Sequence, residues 1–277
     1  MRAAGGEPGA VAWLDTGDAA ELTVAGPTQA PVRAALEAAL PHVDVVVQPA
    51  GNRRKALLIA DMDSTLIKCE CIDELADYAG IKPQVAAITA AAMRGELDFA
   101  AALDARVALL AGMDAAVLDR CLAERVRLMP GAAALVATMR AHGARAVLVS
   151  GGFTAFAGPV GAALGFDRIV ANTLEVAEGR LTGTVVRPIV DAATKRAELL
   201  AAGVPLPATL AVGDGANDGP MLSTAGLGIA YRAKPAAIAA ADAAVRHGDL
   251  TVLLWAQGYS RAQWVTPPSA TGWPPTG

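Results

Sequence analysis

The sequence predicts an α/β protein: a parallel sheet with crossover helices, an inserted helical-bundle cap, and a small N-terminal α+β module. Three observations carry this expectation. Short apolar runs at 56–60, 144–150, 169–171 and 209–213 are each followed by loop and helix signals, the alternation that marks a parallel sheet. The stretch from about 70 to 128 reads as helix almost throughout, too much for a simple crossover. The run Ala56-Leu57-Leu58-Ile59-Ala60 ends in Asp61-Met62-Asp63-Ser64-Thr65, so two carboxylates emerge at a strand's C-terminal end, where open α/β sheets bind their ligands.

Taken in order, the first 52 residues hold strand signals at 11–14 and 21–24, a helix signal at 32–40 and a β-branched run at 43–47. They predict a ββαβ module, closed by the linker Gln48-Pro49-Ala50-Gly51-Asn52. The sheet core is expected over 53–69 and 129–256, interrupted by the cap at 70–128. Within the cap, 70–78, 82–93, 98–110 and 114–122 carry apolar residues at helical spacing. Gly158-Pro159 should kink or delay the helix that follows Ser150-Gly151-Gly152. Ala177-Glu178-Gly179-Arg180 separates two strand-like runs, 173–176 and 181–185, as a hairpin would. Residues 257–277, with Pro267, Pro268, Pro274 and Pro275, read as a loose tail.

Composition narrows the function classes. A formal net charge of -4, with no long basic run, gives no support to nucleic-acid binding. No apolar stretch approaches membrane-spanning length, and residues 1–10 lack the basic end and apolar core of a secretory signal. Three cysteines fit a reducing compartment, so a cytoplasmic protein is expected. Cys69 and Cys71 flank Glu70 with no further Cys or His nearby, which argues against zinc. The expected partner is a small-molecule substrate, not nucleic acid or membrane, and a homodimer is left open.

Three loops follow strand ends: Asp61 to Thr65, Ser150-Gly151-Gly152, and Gly213-Asp214-Gly215-Ala216-Asn217-Asp218. Lys195 lies near the start of a helical stretch between the last two. A Rossmann-like topology would bring them to one sheet edge. Asp61 offers an anionic oxygen as nucleophile, able to form an acyl phosphate. Asp63 can protonate a leaving alkoxide and later deprotonate water. Asp214 with Asp61 suits a hard cation such as Mg²⁺, with Asp218 ligating through water or orienting its neighbours. Ser150 and the Gly151 N–H offer donors to phosphate oxygens, and Lys195 a point charge. Singly, each segment has a plainer reading as a turn, a helix cap or a solvated charge. Their joint occurrence in this order describes a phosphoryl-transfer clamp.

Those residues resemble the haloacid dehalogenase (HAD) superfamily and, within it, the phosphoserine phosphatase family, over roughly residues 55 to 250. The resemblance rests on Asp61-x-Asp63-x-Thr65, Ser150-Gly151-Gly152, Lys195 and Gly213-Asp214-Gly215-x-Asn217-Asp218. It implies that Asp61 is the phosphorylated nucleophile, Asp63 the general acid/base, and Asn217 a residue shaping the metal and phosphate loop. It implies a Mg²⁺ held by the Asp61 carboxylate, the Asp63 carbonyl and Asp214, with Asp218 in support. In the cap, Glu70-Cys71-Ile72-Asp73-Glu74 and Gly95-Glu96-Leu97-Asp98-Phe99 before Arg106 are similar to that family. On this likeness Glu70 meets a substrate ammonium, Arg106 its carboxylate, and Met93 and Phe99 the apolar side of the pocket. An acid and a guanidinium held apart are what a zwitterionic amino acid requires. The N-terminal segment resembles at most one degraded ligand-binding module of the ACT type.

The expected activity is Mg²⁺-dependent hydrolysis of O-phospho-L-serine to L-serine and phosphate, the last step of serine biosynthesis. Two alternatives use the same residues. One is a phosphotransferase that passes the phosphoryl group to another hydroxyl such as homoserine. The other is a non-catalytic phosphoserine or phosphate sensor, against which the intact Asp61 and Asp63 argue.

Overall fold

The protein is described from a computed structural model that covers residues 6–26, 29–93, 96–265 and 267, the side chain of Met93 excepted. The chain opens with an antiparallel hairpin, β1 (Glu7–Asp15) and β2 (Ala19–Ala25), followed by α1 (Gln29–Ala39). The first core strand is β3 (Leu57–Ala60). Four cap helices then intervene: α2 (Cys71–Tyr78), α3 (Lys82–Met93), α4 (Phe99–Ala108) and α5 (Ala116–Arg125). The core resumes with α6 (Ala132–Ala141), β4 (Arg145–Phe153), α7 (Thr154–Leu164) and β5 (Arg168–Asn172). A second hairpin, β6 (Leu174–Ala177) and β7 (Arg180–Val185), precedes α8 (Ala192–Ala201). The chain continues through β8 (Thr209–Gly213), α9 (Gly219–Thr224), β9 (Leu227–Tyr231), α10 (Pro235–Ala240), β10 (Ala243–Val245) and α11 (Val252–Ala256).

Among the described residues these strands form a six-stranded parallel sheet in the order β10-β9-β8-β3-β4-β5. The order positions the site. β3 lies between β8 and β4, so the loops after all three open side by side at the C-terminal edge, where the winding reverses. β3 is buried on both faces, as a central parallel strand must be. Leu58 and Ala60 join the core on one side, with α6 and α7, while Leu57 and Ile59 join the core on the other, with α8 and α9.

Several expectations are corrected. The run 43–47 is no strand among the described residues. It runs without regular secondary structure, with Val45 buried and Val46 against the core, and is held because the Asp44 carboxylate accepts the Arg246 and Gly248 N–H groups, each at 2.7 Å. The N-terminal module is therefore ββα. It is fastened to the core by Arg33 to the Ala241 carbonyl (3.0 Å) and by the Arg261–Asp18 ion pair (2.9 Å). Gly158-Pro159 does not delay the helix, because α7 begins at Thr154 and runs through Pro159. Its buried residues Phe156, Ala157, Val160, Gly161 and Leu164 pack on the sheet, and burial of that size outweighs an interior proline's cost of about 3 kcal/mol. Residues 257–265 are no loose tail. Gln257 and Tyr259 are buried, the Gln257 side chain bonds both the Lys55 N–H and the Leu253 carbonyl, and the Val265 N–H reaches Thr138 Oγ1 at 2.8 Å. The rest of the expected tail, Pro268, Pro274 and Pro275 included, lies outside the described residues. No helix among the described residues is long and apolar enough to cross a membrane.

The β6–β7 hairpin turns at Glu178 and Gly179, both at positive φ (49° and 75°), as a two-residue turn matched to the strand twist requires. It meets the cap through Gly112 N–H to the Leu181 carbonyl and Leu181 N–H to the Met113 carbonyl, at 2.8 and 2.9 Å.

Candidate active site

Asp61 leaves the end of β3 with its N–H bound to the Val212 carbonyl of β8 (3.0 Å), so the sheet's own ladder fixes its backbone. Its Oδ1 lies 2.7 Å from Lys195 Nζ, and the same ammonium sits 2.7 Å from Asp218 Oδ1. Lys195 is fully buried on α8. Burial works against its charge, but the Asp61 and Asp218 carboxylates outweigh that and hold its pKa above the ordinary lysine value. Burial raises Asp61 well above the ordinary carboxylate range. Asp218 adds to the rise and Lys195 opposes it.

Asp63 has a different environment. The first amide of α2, Cys71 N–H, donates to its Oδ1 at 3.0 Å, and a methyl group added at Gly152 would lie 2.4 Å from its Oδ2. Only glycine lets the Ser150 loop approach this closely. Burial, and then the Glu70 charge, push the Asp63 carboxyl up to about 7, the range in which a group can both give and take a proton near neutral pH. The two carboxylates of one loop thus have unequal chemistry set by their surroundings.

Asp214, after β8, is raised to about 6 by burial, then by Asp218 and Glu70. Thr65 Oγ1 donates to its Oδ1 at 3.3 Å, and Lys234 Nζ stands 3.7 Å from its Oδ2. Oxygens of Asp61, Asp214 and Asp218 lie within 4.8 Å of one another. Three buried carboxylates beside one buried ammonium leave excess negative charge, and an all-oxygen donor set suits a hard divalent cation. Asp61 Oδ1 supports the fit. The ammonium beside it lies off the direction of a good hydrogen bond, so this buried oxygen keeps unused acceptor capacity. Asp218 is more committed. Its Oδ1 takes Lys195, and its Oδ2 accepts the N–H groups of Asp214 and Gly215 at 3.1 and 2.9 Å. That geometry makes it the residue that shapes the Asp214 loop, a role reinforced at Gly213, where a methyl group would lie 2.4 Å from Asp218 Cγ.

Ser150 is fully buried in β4 and accepts the Gly152 N–H on its Oγ at 2.9 Å, which leaves its own hydroxyl proton free to donate. Across the opening, Phe99 at the start of α4 reaches over this loop, so a methyl group at Gly151 would lie 3.1 Å from Phe99 Cζ and 3.8 Å from Asn217 Nδ2. Glu70 occupies the N-cap position of α2 without capping it through its side chain, whose Oε1 instead accepts a 2.8 Å bond from Ser64 Oγ. Arg106, in the last turn of α4, spends its Nε on the Ala102 carbonyl (3.1 Å). Burial lowers its pKa, opposed in turn by Asp73, Glu70 and Asp63, and the guanidinium makes no ion pair to the Asp61 or Asp63 carboxylates. Met93 ends α3, and its side chain lies outside the described residues.

The carboxylates, Ser150 and Lys195 are legible in the sequence, and the structure brings Asp61, Lys195, Asp214 and Asp218 into one cluster. Ser64, Thr65 as an Asp214 partner, and Asn172 emerge from the structure. Asn172 carried a signal, since it is a polar residue closing the apolar run Ile169-Val170-Ala171.

The chain is similar to several known proteins. Residues 58–223 match the model of the haloacid dehalogenase-like hydrolases. The chain is 50% identical over 254 residues to a phosphoserine phosphatase of Streptomyces coelicolor, covering 88% of this chain and 62% of that protein. It therefore spans less than two thirds of that relative's length. A phosphoserine phosphatase of Idiomarina loihiensis is 50% identical over 202 residues, 72% of this chain and 91% of that protein. Among solved structures, a HAD family hydrolase from Salmonella enterica serovar Typhi superposes with a TM-score of 0.78 at 33% identity, over 85% of this chain and 84% of that one.

Proposed function

The chain belongs to the haloacid dehalogenase-like hydrolase family, and from that premise we propose that it is a Mg²⁺-dependent phosphatase of O-phospho-L-serine. The observation that carries the chemistry is the division between Asp61, ion-paired to Lys195 at 2.7 Å, and Asp63, held at about 7 two residues away. The substrate reading rests on Glu70 and Arg106 at the mouth of the site and on relatives at 50% identity that bear the phosphoserine phosphatase name.

In this reading the phosphoryl group lies between Asp61 and the Ser150 loop, held by the Ser150 hydroxyl, the Gly151 N–H and Lys195, with Asn217 beside it. An Asp61 oxygen attacks phosphorus while the serine oxygen departs, and Asp63 gives that oxygen its proton. A water then attacks the aspartyl phosphate, Asp63 takes the water's proton, and phosphate leaves with Asp61 restored. The Asp61 and Asp214 carboxylates and the Asp63 carbonyl, with Asp218 in support, would hold Mg²⁺, which would supply charge neutralisation. Glu70, fixed by Ser64, faces the substrate ammonium, Arg106 its carboxylate, and Phe99 with Met93 closes the apolar side.

The test is a phosphatase screen over phospho-amino acids and sugar phosphates, with and without Mg²⁺, followed by Arg106→Ala. Loss of a bidentate carboxylate contact should raise KM for phosphoserine by roughly 10- to 100-fold while leaving KM for an aryl phosphate within about threefold. Equal effects on both substrates refute the carboxylate-reading role.

A further inference from the structure

We propose that Asn172 is a positioning residue of the phosphoryl site: a buried side chain that aims the Ser150 hydroxyl and ties its loop to the segment leading into the Lys195 helix. The proposal rests on Ser150 as a phosphoryl donor, as read above. Asn172 ends β5 and is 2% exposed. Its Nδ2 donates to the Gly151 carbonyl at 2.8 Å, and its Oδ1 accepts the Val190 N–H at 2.7 Å. The Val190 carbonyl lies 3.5 Å from the same Nδ2. These partners fix the amide's orientation, since a flip would set oxygen against carbonyl oxygen and N–H against N–H.

The sheet register shows why such a brace is needed. Between β4 and β5, Val149 pairs with Val170 and Phe153 with Asn172, so four residue steps on one strand face two on the other. Ser150, Gly151 and Gly152 are therefore bulged out of the ladder, as strands are where a side chain must be re-aimed. The freed Gly151 carbonyl finds its partner in Asn172. Because the peptide unit is planar, fixing that carbonyl fixes the Gly152 N–H on the opposite side, and this N–H donates to Ser150 Oγ at 2.9 Å. With one lone pair so engaged, the hydroxyl proton of Ser150 is directed away from the Gly152 amide. On its other side, Asn172 holds Val190, next to Asp191. The Asp191 carboxylate caps α8 at the Thr194 N–H (2.8 Å), and its carbonyl accepts the Lys195 N–H (3.0 Å).

A buried asparagine that merely satisfies the core would affect stability alone, so the test is a double-mutant cycle. Asn172→Ala, Ser150→Ala and the double variant are compared with the wild type in three readouts. These are kcat/KM on a phosphomonoester that the wild type turns over, inhibition by orthovanadate, and Tm. Asn172→Ala should cost roughly 10- to 100-fold in kcat/KM and weaken orthovanadate comparably, near the lower range for loss of an oxyanion donor. In the Ser150→Ala background the same change should cost less than about threefold. Full additivity, or a lowered Tm with unchanged kcat/KM and orthovanadate inhibition, overturns the proposal.

Should Asn172→Ala not fold, Asn172→Asp gives the decision. It keeps the Val190 bond and sets a carboxylate oxygen against the Gly151 carbonyl, so its activity relative to wild type should recover as pH falls and the acid regains a donor proton. Wild-type kcat/KM for Asn172→Asp at pH 8 refutes the role. A wild type that turns over aryl phosphate but not phosphoserine would sink the substrate reading and leave this test intact.

Discussion

Replacing Lys195 with methionine removes the buried ammonium of the carboxylate cluster while nearly preserving side-chain volume. In the wild type its Nζ lies 2.7 Å from both Asp61 Oδ1 and Asp218 Oδ1, with all three side chains almost without solvent contact. Removing one partner of a buried ion pair costs about 3–5 kcal/mol, because the remaining charge is left uncompensated. For a chain of this size that corresponds to a fall in Tm on the order of 10 °C. The sign of the pH dependence follows from Asp61. Its folded pKa is already raised by burial and by Asp218, and losing Lys195 raises it further. A carboxyl with a raised folded pKa contributes stability below its unfolded value near 4, and that contribution is lost as pH rises through the folded value. Both proteins lose this contribution as pH rises, and the variant, with the higher folded value, loses more of it, so its deficit should grow with pH and not shrink. Thermal unfolding in EDTA at pH 5, 6.5 and 8 measures it. A deficit that is the same at all three pH values would mean that only packing was lost, and would refute the electrostatic argument.

Two further outcomes test neighbouring groups. Gly152→Ala places a methyl group 2.4 Å from Asp63 Oδ2. A displacement of that carboxyl on the order of 1 Å should lower kcat by about 100-fold with Tm nearly unchanged, and wild-type turnover in steady-state assays would remove the steric argument. In the metal-free protein burial raises Asp61 well above the ordinary carboxylate range and Asp214 to about 6, so divalent-metal binding must displace protons at acidic pH. The gain in Tm on adding Mg²⁺ should be several degrees larger at pH 8 than at pH 5.5. Equal gains at both values would contradict it.

The parts of the fold that were legible are those where local pattern and burial coincide. The run at 56–60 is apolar at every position because β3 is covered on both faces, and the cap helices follow their apolar spacing to within a few residues. β9 and β10 are not legible because Leu227-Gly228-Ile229-Ala230-Tyr231 and Ala243-Ala244-Val245 are short and lie among alanines, which suit helix equally well. The run 43–47 fails in the opposite direction. Its composition suits a strand, but what decides its fate is whether a strand edge is free to pair. Here the backbone amides of Arg246 and Gly248 go to the Asp44 side chain instead.

The same distinction separates the parts of the site. A carboxylate at a strand end announces itself, since an isolated buried acid is costly and must be there for a reason. Ser64 and Asn172 act only through what they touch. Ser64 fixes Glu70 six residues on, from a backbone at φ 55° that non-glycine residues adopt infrequently. Asn172 braces Gly151 and Val190 across two loops. Neither contact has a periodicity or a spacing to read. Hydrogen bonding makes each specific: the Gly151 carbonyl, bulged out of the sheet ladder, takes its donor from the Asn172 amide, and a buried carbonyl left without one costs about 1–3 kcal/mol. On the proposed function this loop leaves the ladder to present donors to a phosphoryl group, and the Gly151 carbonyl it strands there takes a side-chain partner from the neighbouring strand. Polar residues that end apolar strands beside such a loop are therefore where positioning residues are to be sought.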